Sequence, residues 1–383
     1  MRDTDNPRLL ALTSSALLLP AYTPVANADA PPEVAEAVIR YSKYQEDDLS
    51  RNKVILGSNE RYDIDIYQAH LLTPIADDWS FALDVQREHM SGASPWFVGE
   101  TADGGAAVFM SGASISDTRT YVGTTTRYYM PRGNAGLQLG YSDEDDYRSK
   151  SIGLDGAWNS SDNSRTWSGA VSYADDDISP TQGTIPTNVE DEQKDTASAW
   201  FGMTQILSQT ALVRLGLSYS VSNGYLSDPY KLLDQRPDRR SRTTASASWR
   251  KFLIAPDAAL HIDYRYYSDN WDIDSHTLRG EWHQTLGRFS VVPYVRYYSQ
   301  SEADFFSVIA DPAQRYFSDD YRLSSFGAVT LGARLVASMN NWRVTVAGER
   351  YRSDSSWSLY GGEEAPALVD FWRATLALDY RFE

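Results

Sequence analysis

The sequence predicts an all-β chain, closed into an antiparallel transmembrane barrel of about sixteen strands. Three observations lead there. Strand-like runs with a side-chain period of two recur along the chain. Their connectors alternate between short turns and mostly longer polar loops, the arrangement of bacterial barrels and one that a β-sandwich has no reason to adopt. Within the better-patterned runs, full charges keep to one of the two alternating files.

Residues 1–28 read as a secretory signal peptide. Arg2 and Arg8 flank its start, Leu9 to Leu19 is apolar, and Ala26-Asn27-Ala28 fits a cleavage site before Asp29. Asp3 and Asp5 depart from the usual positive start. Residues 29–383 then form one outer-membrane barrel.

Sixteen runs follow, beginning near Val34, Tyr62, Trp79, Arg119, Ala135, Ser151, Arg165, Asp195, Ala211, Ser241, Ala259, Ser275, Phe289, Ser325, Asn341 and Ala367. Short connectors include Pro74 to Asp78, Pro131 to Asn134, Leu207 to Thr210 and Thr285 to Arg288. Long ones include Ser91 to Thr118, Ala174 to Lys194, Asn223 to Arg240 and Ser301 to Ser324. An even strand count puts both termini on the short-turn side, expected to be periplasmic.

The last run shows the two faces best. Trp372, Ala374, Leu376, Leu378, Tyr380 and Phe382 make an apolar file, while Arg373, Thr375, Asp379 and Arg381 lie in the other. Arg or Lys on the lipid face costs about 2–4 kcal/mol at the midplane, so the apolar file is expected to meet lipid. The same rule sends Leu260, Ile262, Tyr264, Leu278, Val295, Leu331 and Val346 outward. Pro293 falls in an outward file, lacks a ladder N–H, and is expected to mark a bulge. The run Tyr62 to Thr73 alternates too poorly for its faces to be assigned.

Composition narrows the function. There is no cysteine, hence no disulfide scaffold, Cys-based metal site or c-type haem attachment. A net charge of −17 argues against a nucleic-acid partner. No apolar run reaches the ~18–20 residues of a spanning helix.

Several segments carry a family likeness: NGYLSDPYK (Asn223 to Lys231), RPDRRSR (Arg236 to Arg242), YRYYSDNWDIDSHTLRGEW (Tyr264 to Trp282), PYVRYYSQSEADFF (Pro293 to Phe306) and YFSDDYRLSSFG (Tyr316 to Gly327). Together they resemble the bacterial domain-of-unknown-function family 3570. The resemblance implies an outer-membrane barrel of uncharacterised function and transfers no catalytic residue.

The candidate lumen-lining residues are Arg250, Arg265, Arg279, Glu281, His283, Arg296, Arg334, Arg343, Glu349, Arg373 and Arg381. Guanidinium groups along a pore wall select anions or phosphates. The interleaved carboxylates Asp263, Glu281, Glu349 and Asp379 favour a plainer role, a cross-strand network of ion pairs. Arg236, Arg239, Arg240 and Arg242 form a basic loop cluster, able to narrow the lumen, meet lipopolysaccharide phosphates, or pair with acidic loops. Acidic groups such as Glu46-Asp47-Asp48, Asp143 to Asp146, Asp175 to Asp177 and Glu190-Asp191-Glu192 read as solvated charge, with no EF-hand spacing. No catalytic residue, metal ligand or cofactor is assigned.

The expected partners are outer-membrane lipid and lipopolysaccharide, small polar solutes, and envelope proteins of unknown identity. Function points first to a porin-like pore for small polar solutes or the barrel of an envelope assembly. The alternative is a structural or adhesive barrel with a plugged lumen. Third comes a hydrolase at the rim built on His276 near Asp272, Asp274 and Ser275; the reading favours no enzyme.

Overall fold

The computed structural model describes residues 30–111, 115–181 and 187–382. The expected signal peptide lies outside the described residues. In chain order the first strands are β1 (Glu36–Glu46), β2 (Val54–Leu56), β3 (Asp63–Ala76), β4 (Trp79–Gly92), β5 (Pro95–Glu100), β6 (Ala106–Met110) and β7 (Ile115–Met130). Next come β8 (Gly133–Asp143), β9 (Tyr147–Asn159), β10 (Arg165–Ile178), β11 (Glu192–Ser208), β12 (Ala211–Gly224), β13 (Asp234–Gln235) and β14 (Arg239–Leu253). The last are β15 (Ala258–Asp269), β16 (Asp274–Leu286), β17 (Phe289–Gln300), β18 (Phe317–Ser318), β19 (Phe326–Met339), β20 (Trp342–Asp354) and β21 (Phe371–Arg381).

Sixteen of these strands close one barrel, in the order β1, β3, β4, β7, β8, β9, β10, β11, β12, β14, β15, β16, β17, β19, β20, β21. All neighbours are antiparallel, and β21 closes on β1 from Glu36↔Arg381 to Glu46↔Phe371. Their starts lie within four residues of the sequence positions, the widest gaps being Arg119 against Ile115, Ser151 against Tyr147 and Ala367 against Phe371. The five other strands belong to the loops, as a three-stranded sheet β2-β6-β5 and a pair β13-β18.

Connectors sort by end. At one end lie 77–78, 131–132, 160–164, 209–210, 254–257, 287–288 and 340–341. Asn163, Asp257, Asn340 and Gly287 take positive φ there, as tight hairpins require of Asn, Asp and Gly. At the other end lie 47–62, 93–114, 179–191, 225–238, 301–325 and 355–370, with two tight connections, 144–146 and 270–273.

The outer face is apolar. Leu154 (56% exposed), Leu217 (56%), Leu331 (60%) and Leu376 (52%) come from four separate strands, and a continuous band of that kind is stable against lipid, not water. Trp79, Tyr128, Trp158, Trp167, Trp249, Phe289 and Trp342 border it near the short turns, and Tyr67, Tyr141, Tyr173 and Tyr219 lie higher on their strands. Trp79 packs on Tyr128 and Trp342 on Tyr380, at ring-centroid distances of 4.8 and 4.4 Å. Aromatic rings of this sort anchor a barrel at both membrane interfaces.

The structure corrects one expectation and completes another. Pro293 causes no bulge. The register is the same at Glu281↔Tyr294 and at Gln284↔Val291, and only the pairing of Trp282 and His283 between them is interrupted. A missing N–H removes a ladder bond without demanding an extra residue. Within the barrel, register shifts fall instead near short turns, between Pro74 and Ala76 and between Ile206 and Ser208. In β3 the outward file is Tyr67, Ala69 and Leu71, while Ile64 and Ile66 point inward and are buried with Tyr44, Tyr62, Met90 and Phe371. Near the long loops the polarity is reversed, because the packed lumen takes Ile64 and Ile66 while Asp63 and Asp65 share the outward file and pair with Lys43.

Candidate functional site

The inner wall below the long loops is polar and cross-linked. Arg250 reaches Asp263 at 2.7 Å, Arg279 reaches Glu281 at 2.6 Å, and Arg373 reaches Glu349 at 2.6 Å. Arg334 stands 3.8 Å from Glu281. Arg279 also lies over the Tyr294 ring, 4.6 Å from its centroid, and the Tyr294 hydroxyl donates to Glu349 at 2.5 Å. Arg296 donates to the Thr330 hydroxyl at 3.0 and 3.2 Å. Arg343 stands opposite Asp379 in register, and Arg265 stands between Ser246 and Thr277. Arg381 joins Glu36 at 2.6 Å at the exposed short-turn rim. Arg250–Asp263, Arg296–Thr330 and Arg373–Glu349 link neighbouring strands, Arg279–Glu281 lies within β16, and Arg334–Glu281 and Tyr294–Glu349 each skip a strand, so the charges stiffen the wall that they line.

Glycines make room for inward aromatic rings. Trp200 lies across Gly202 and Gly216, where a Cβ on Gly202 would meet the indole at 2.4 Å. A Cβ on Gly332 would meet the Tyr294 ring at 2.3 Å.

The long loops meet over the mouth. Loops 93–114, 225–238 and 301–325 are spread around the ring. The strands β7 to β12 separate the first from the second, β14 to β17 the second from the third, and β19 to β4 the third from the first. They nonetheless bond to one another. The Asp319 carboxylate accepts the Val98 backbone N–H at 2.6 Å, and the Leu232 N–H donates to the Trp96 carbonyl at 3.3 Å. Strands β13 and β18 pair Asp234 with Ser318 and Gln235 with Phe317.

Ion pairs lock this cap. Lys231 lies 3.5 Å from Asp319, and Arg236 lies 2.9 Å from Asp234 and 2.7 Å from Asp320. Arg322 grips Asp320 and reaches Asp228 at 2.9 Å. Lys231, Asp234, Asp319 and Asp320 are buried. Burial pushes Asp319 up to about 6 against the pull of Lys231. Burial also opposes ionisation of Asp320, yet Arg322, Lys231 and Arg236 hold it far below the usual carboxylate range. Below the loops, Arg61 bonds Glu46 at 2.8 Å and the Tyr321 hydroxyl at 3.2 Å. Tyr321 itself packs with Leu49, Ala93, Val108, Met110, Ala365 and Ala367.

The four loop arginines do not form one patch. Arg236 is inside the cap. Arg240 pairs with Asp269 at 2.6 Å and lies over Trp271, 4.2 Å from its ring. Arg242 donates to Ser222 at 2.5 Å and Ser220 at 3.3 Å. Arg239 is exposed, and its carbonyl accepts the Trp271 indole N–H at 3.1 Å. The acidic groups are also less loop-like than expected. Glu46 ends a strand and is buried, and Asp176 lies within β10, 3.1 Å from Lys194. At the rim, His276 meets the Tyr264 hydroxyl at 2.7 Å and stacks on Tyr360, while Ser275 alternates to the opposite face and is buried. Sequence adjacency does not bring these two side chains together.

Sequence reasoning missed one constellation. His261 comes beside Glu281 and His283 on the inner wall, with one ligand atom of each within 4.8 Å of the others. Its available signal was a Glu-x-His pair in one strand facing a His in the inward file of the next.

The fold recurs among solved structures. A bacterial polysaccharide outer membrane secretin matches at TM-score 0.53 and 9% identity, over 91% of this chain and 99% of that one. CdiB from Acinetobacter baumannii matches at 0.52 and 7% identity, over 92% of this chain and 60% of that one. The siderophore receptor PirA from Pseudomonas aeruginosa matches at 0.44 and 10% identity, over 85% of this chain and 57% of that one. The chain thus spans little more than half the length of the last two. At these identities the first two likenesses concern the fold alone, a closed barrel of the outer-membrane type. No curated protein matches. Residues 9–371 match one family profile, and the chain belongs to that family, the proteins of unknown function termed DUF3570.

Proposed function

We propose that the protein is an outer-membrane barrel with periplasmic short turns and termini, closed on the outside by its own loops, that serves as the barrel of an envelope assembly. The observation that carries this reading is the cap. Three loops from separate arcs of the ring are bonded to one another: ion pairs join 225–238 to 301–325, hydrogen bonds at Val98 and Trp96 join 93–114 to both, and Asp234, Asp319 and Asp320 are buried among them. Separating them would break the Lys231–Asp319, Arg236–Asp320 and Arg322–Asp228 pairs together and uncover the buried carboxylates. The resting barrel therefore passes no solute, and the short-turn end offers its polar lumen to the periplasm.

A second reading is a gated pore for small polar solutes, favoured by the ionised inner wall of Arg250, Asp263, Arg279 and Glu281. Single-channel recording on purified protein in planar bilayers separates the two. The capped-barrel reading expects no steady conductance from the wild-type protein, and channels after the cap is cut by Arg236→Ala with Lys231→Ala. Steady porin-like conductance from the wild-type protein overturns it.

A further inference from the structure

We infer that the inner wall near the short turns holds a site for a divalent transition-metal ion, built from His261, Glu281 and His283. His261 stands directly opposite Glu281 in register on β15 and β16, and His283 is the next inward residue along β16. The imidazole rings of His261 and His283 have centroids 3.9 Å apart. One oxygen of Glu281, Oε2, is 2.8 Å from His283 Nε2 and 3.9 Å from His261 Nδ1. Two nitrogens and a carboxylate oxygen thus converge on one point of the wall.

The surroundings fit a ligand set. Arg279 holds the other carboxylate oxygen, Oε1, at 2.6 Å, while Oε2, 3.8 Å from Arg334, faces the imidazoles at closer range on the His283 side. A hydrogen bond from outside the ligand set is the usual way of orienting a metal-binding carboxylate. Strand β16 also has slack here, since the pairing of Trp282 and His283 with β17 is interrupted beside Pro293. Ligands of a tetrahedral zinc ion sit roughly 3.3 Å apart, from bonds of about 2.0–2.2 Å. Closing from the present spread needs a shift of about an ångström, and of the three residues His283 has its backbone unclamped toward β17.

Donor chemistry sets the ion. Two imidazoles and one carboxylate suit Zn²⁺, Cu²⁺, Ni²⁺ or Co²⁺, whereas Ca²⁺ and Mg²⁺ prefer all-oxygen sites. Three protein ligands leave a position facing the lumen for water or a solute group. The three donor atoms converge on a single point, so the site takes one ion.

The test is a titration of folded, detergent-solubilised full chain with Zn²⁺, and with Co²⁺ for its absorption bands. One equivalent of Zn²⁺ is expected to bind, with Co²⁺ bands of low coordination number. His261→Ala and His283→Ala should each weaken binding at least about tenfold, and His276→Ala, on the outer face, should not. Glu281→Gln, close to the native side chain in size, should weaken it similarly and decides the matter if the histidine variants fold poorly. Absence of stoichiometric binding by wild-type protein overturns the inference, as does equal binding by wild-type protein and Glu281→Gln. The readout does not depend on conductance, so its failure is distinct from failure of the capped-barrel reading.

Discussion

Asp319 and Val98 belong to loops separated by six strands of the ring, and the carboxylate of the first accepts the backbone N–H of the second at 2.6 Å. The same carboxylate pairs with Lys231 from a third loop. One side chain thus ties three arcs of the mouth together.

Asp319→Ala should therefore loosen the cap and leave the barrel intact. It strands a buried ammonium and a buried N–H, a cost of about 3–5 kcal/mol by the rule for broken buried pairs. Limited proteolysis should cut loops 225–238 and 301–325 faster in the variant, while heat-modifiable mobility in gels stays as in wild type. Unchanged loop protection would contradict the role given to this residue.

Cap closure should tighten as pH falls from 8 to 5. Burial, with Asp117 nearby, pushes Glu144 up to about 8, and burial raises Asp146 and Asp319 to about 6. Asp146 accepts the Tyr230 hydroxyl at 2.5 Å, which links that rim to loop 225–238. Each of these groups keeps its proton in the closed cap at a pH where a solvated carboxylate, with pKa near 4, has lost it. Closure takes up protons across this window, so its contribution is fullest below about pH 4 and fades as pH rises through the raised values. Asp320 works the other way, but its contribution is lost only as pH falls from the ordinary carboxylate value of about 4 downward. Loop proteolysis should be slower at pH 5 than at pH 8, and the reverse order would contradict this assignment.

Gly332→Val should destabilise the barrel by about 1–3 kcal/mol, the usual cost of overpacking. The new side chain would occupy the place of the Tyr294 ring and pull its hydroxyl from Glu349. Gly348→Ala meets nothing within 4 Å and should be nearly neutral. Urea unfolding in lipid vesicles measures both.

The signal-peptide reading predicts a mature chain that starts at Asp29. Intact mass of protein purified from outer membranes checks it, and retention of residues 1–28 would contradict it.

Much of the barrel was legible in the sequence because lipid enforces a simple code. Files such as Leu376-Leu378-Tyr380 against Arg373-Thr375-Asp379 can sit only one way round, and paired turns and loops give direction. The code failed at Ile64 and Ile66, since the lumen under the loops is packed and takes apolar residues while Asp63 and Asp65 hold the outward file. It misread Pro293 because a lost hydrogen bond and an inserted residue look alike in sequence. The cap was illegible for a different reason. Asp319 and Val98 meet through the closure of the ring, and no local spacing encodes a contact across 221 positions. The inner arginines were visible as a file, but their partners depend on register, which fixes Arg250 to Asp263 and Arg373 to Glu349.

The central claim, that the apolar file faces acyl chains and the charged file an enclosed lumen, is tested most directly by one pair of variants. Leu217 lies mid-strand on the outer face, and Ser218 is its inward neighbour. Unfolding free energies of Leu217→Arg and Ser218→Arg are to be measured in lipid vesicles. The account predicts a loss of about 2–4 kcal/mol for Leu217→Arg and a much smaller one for Ser218→Arg. Equal losses, or a larger one at Ser218, would contradict it.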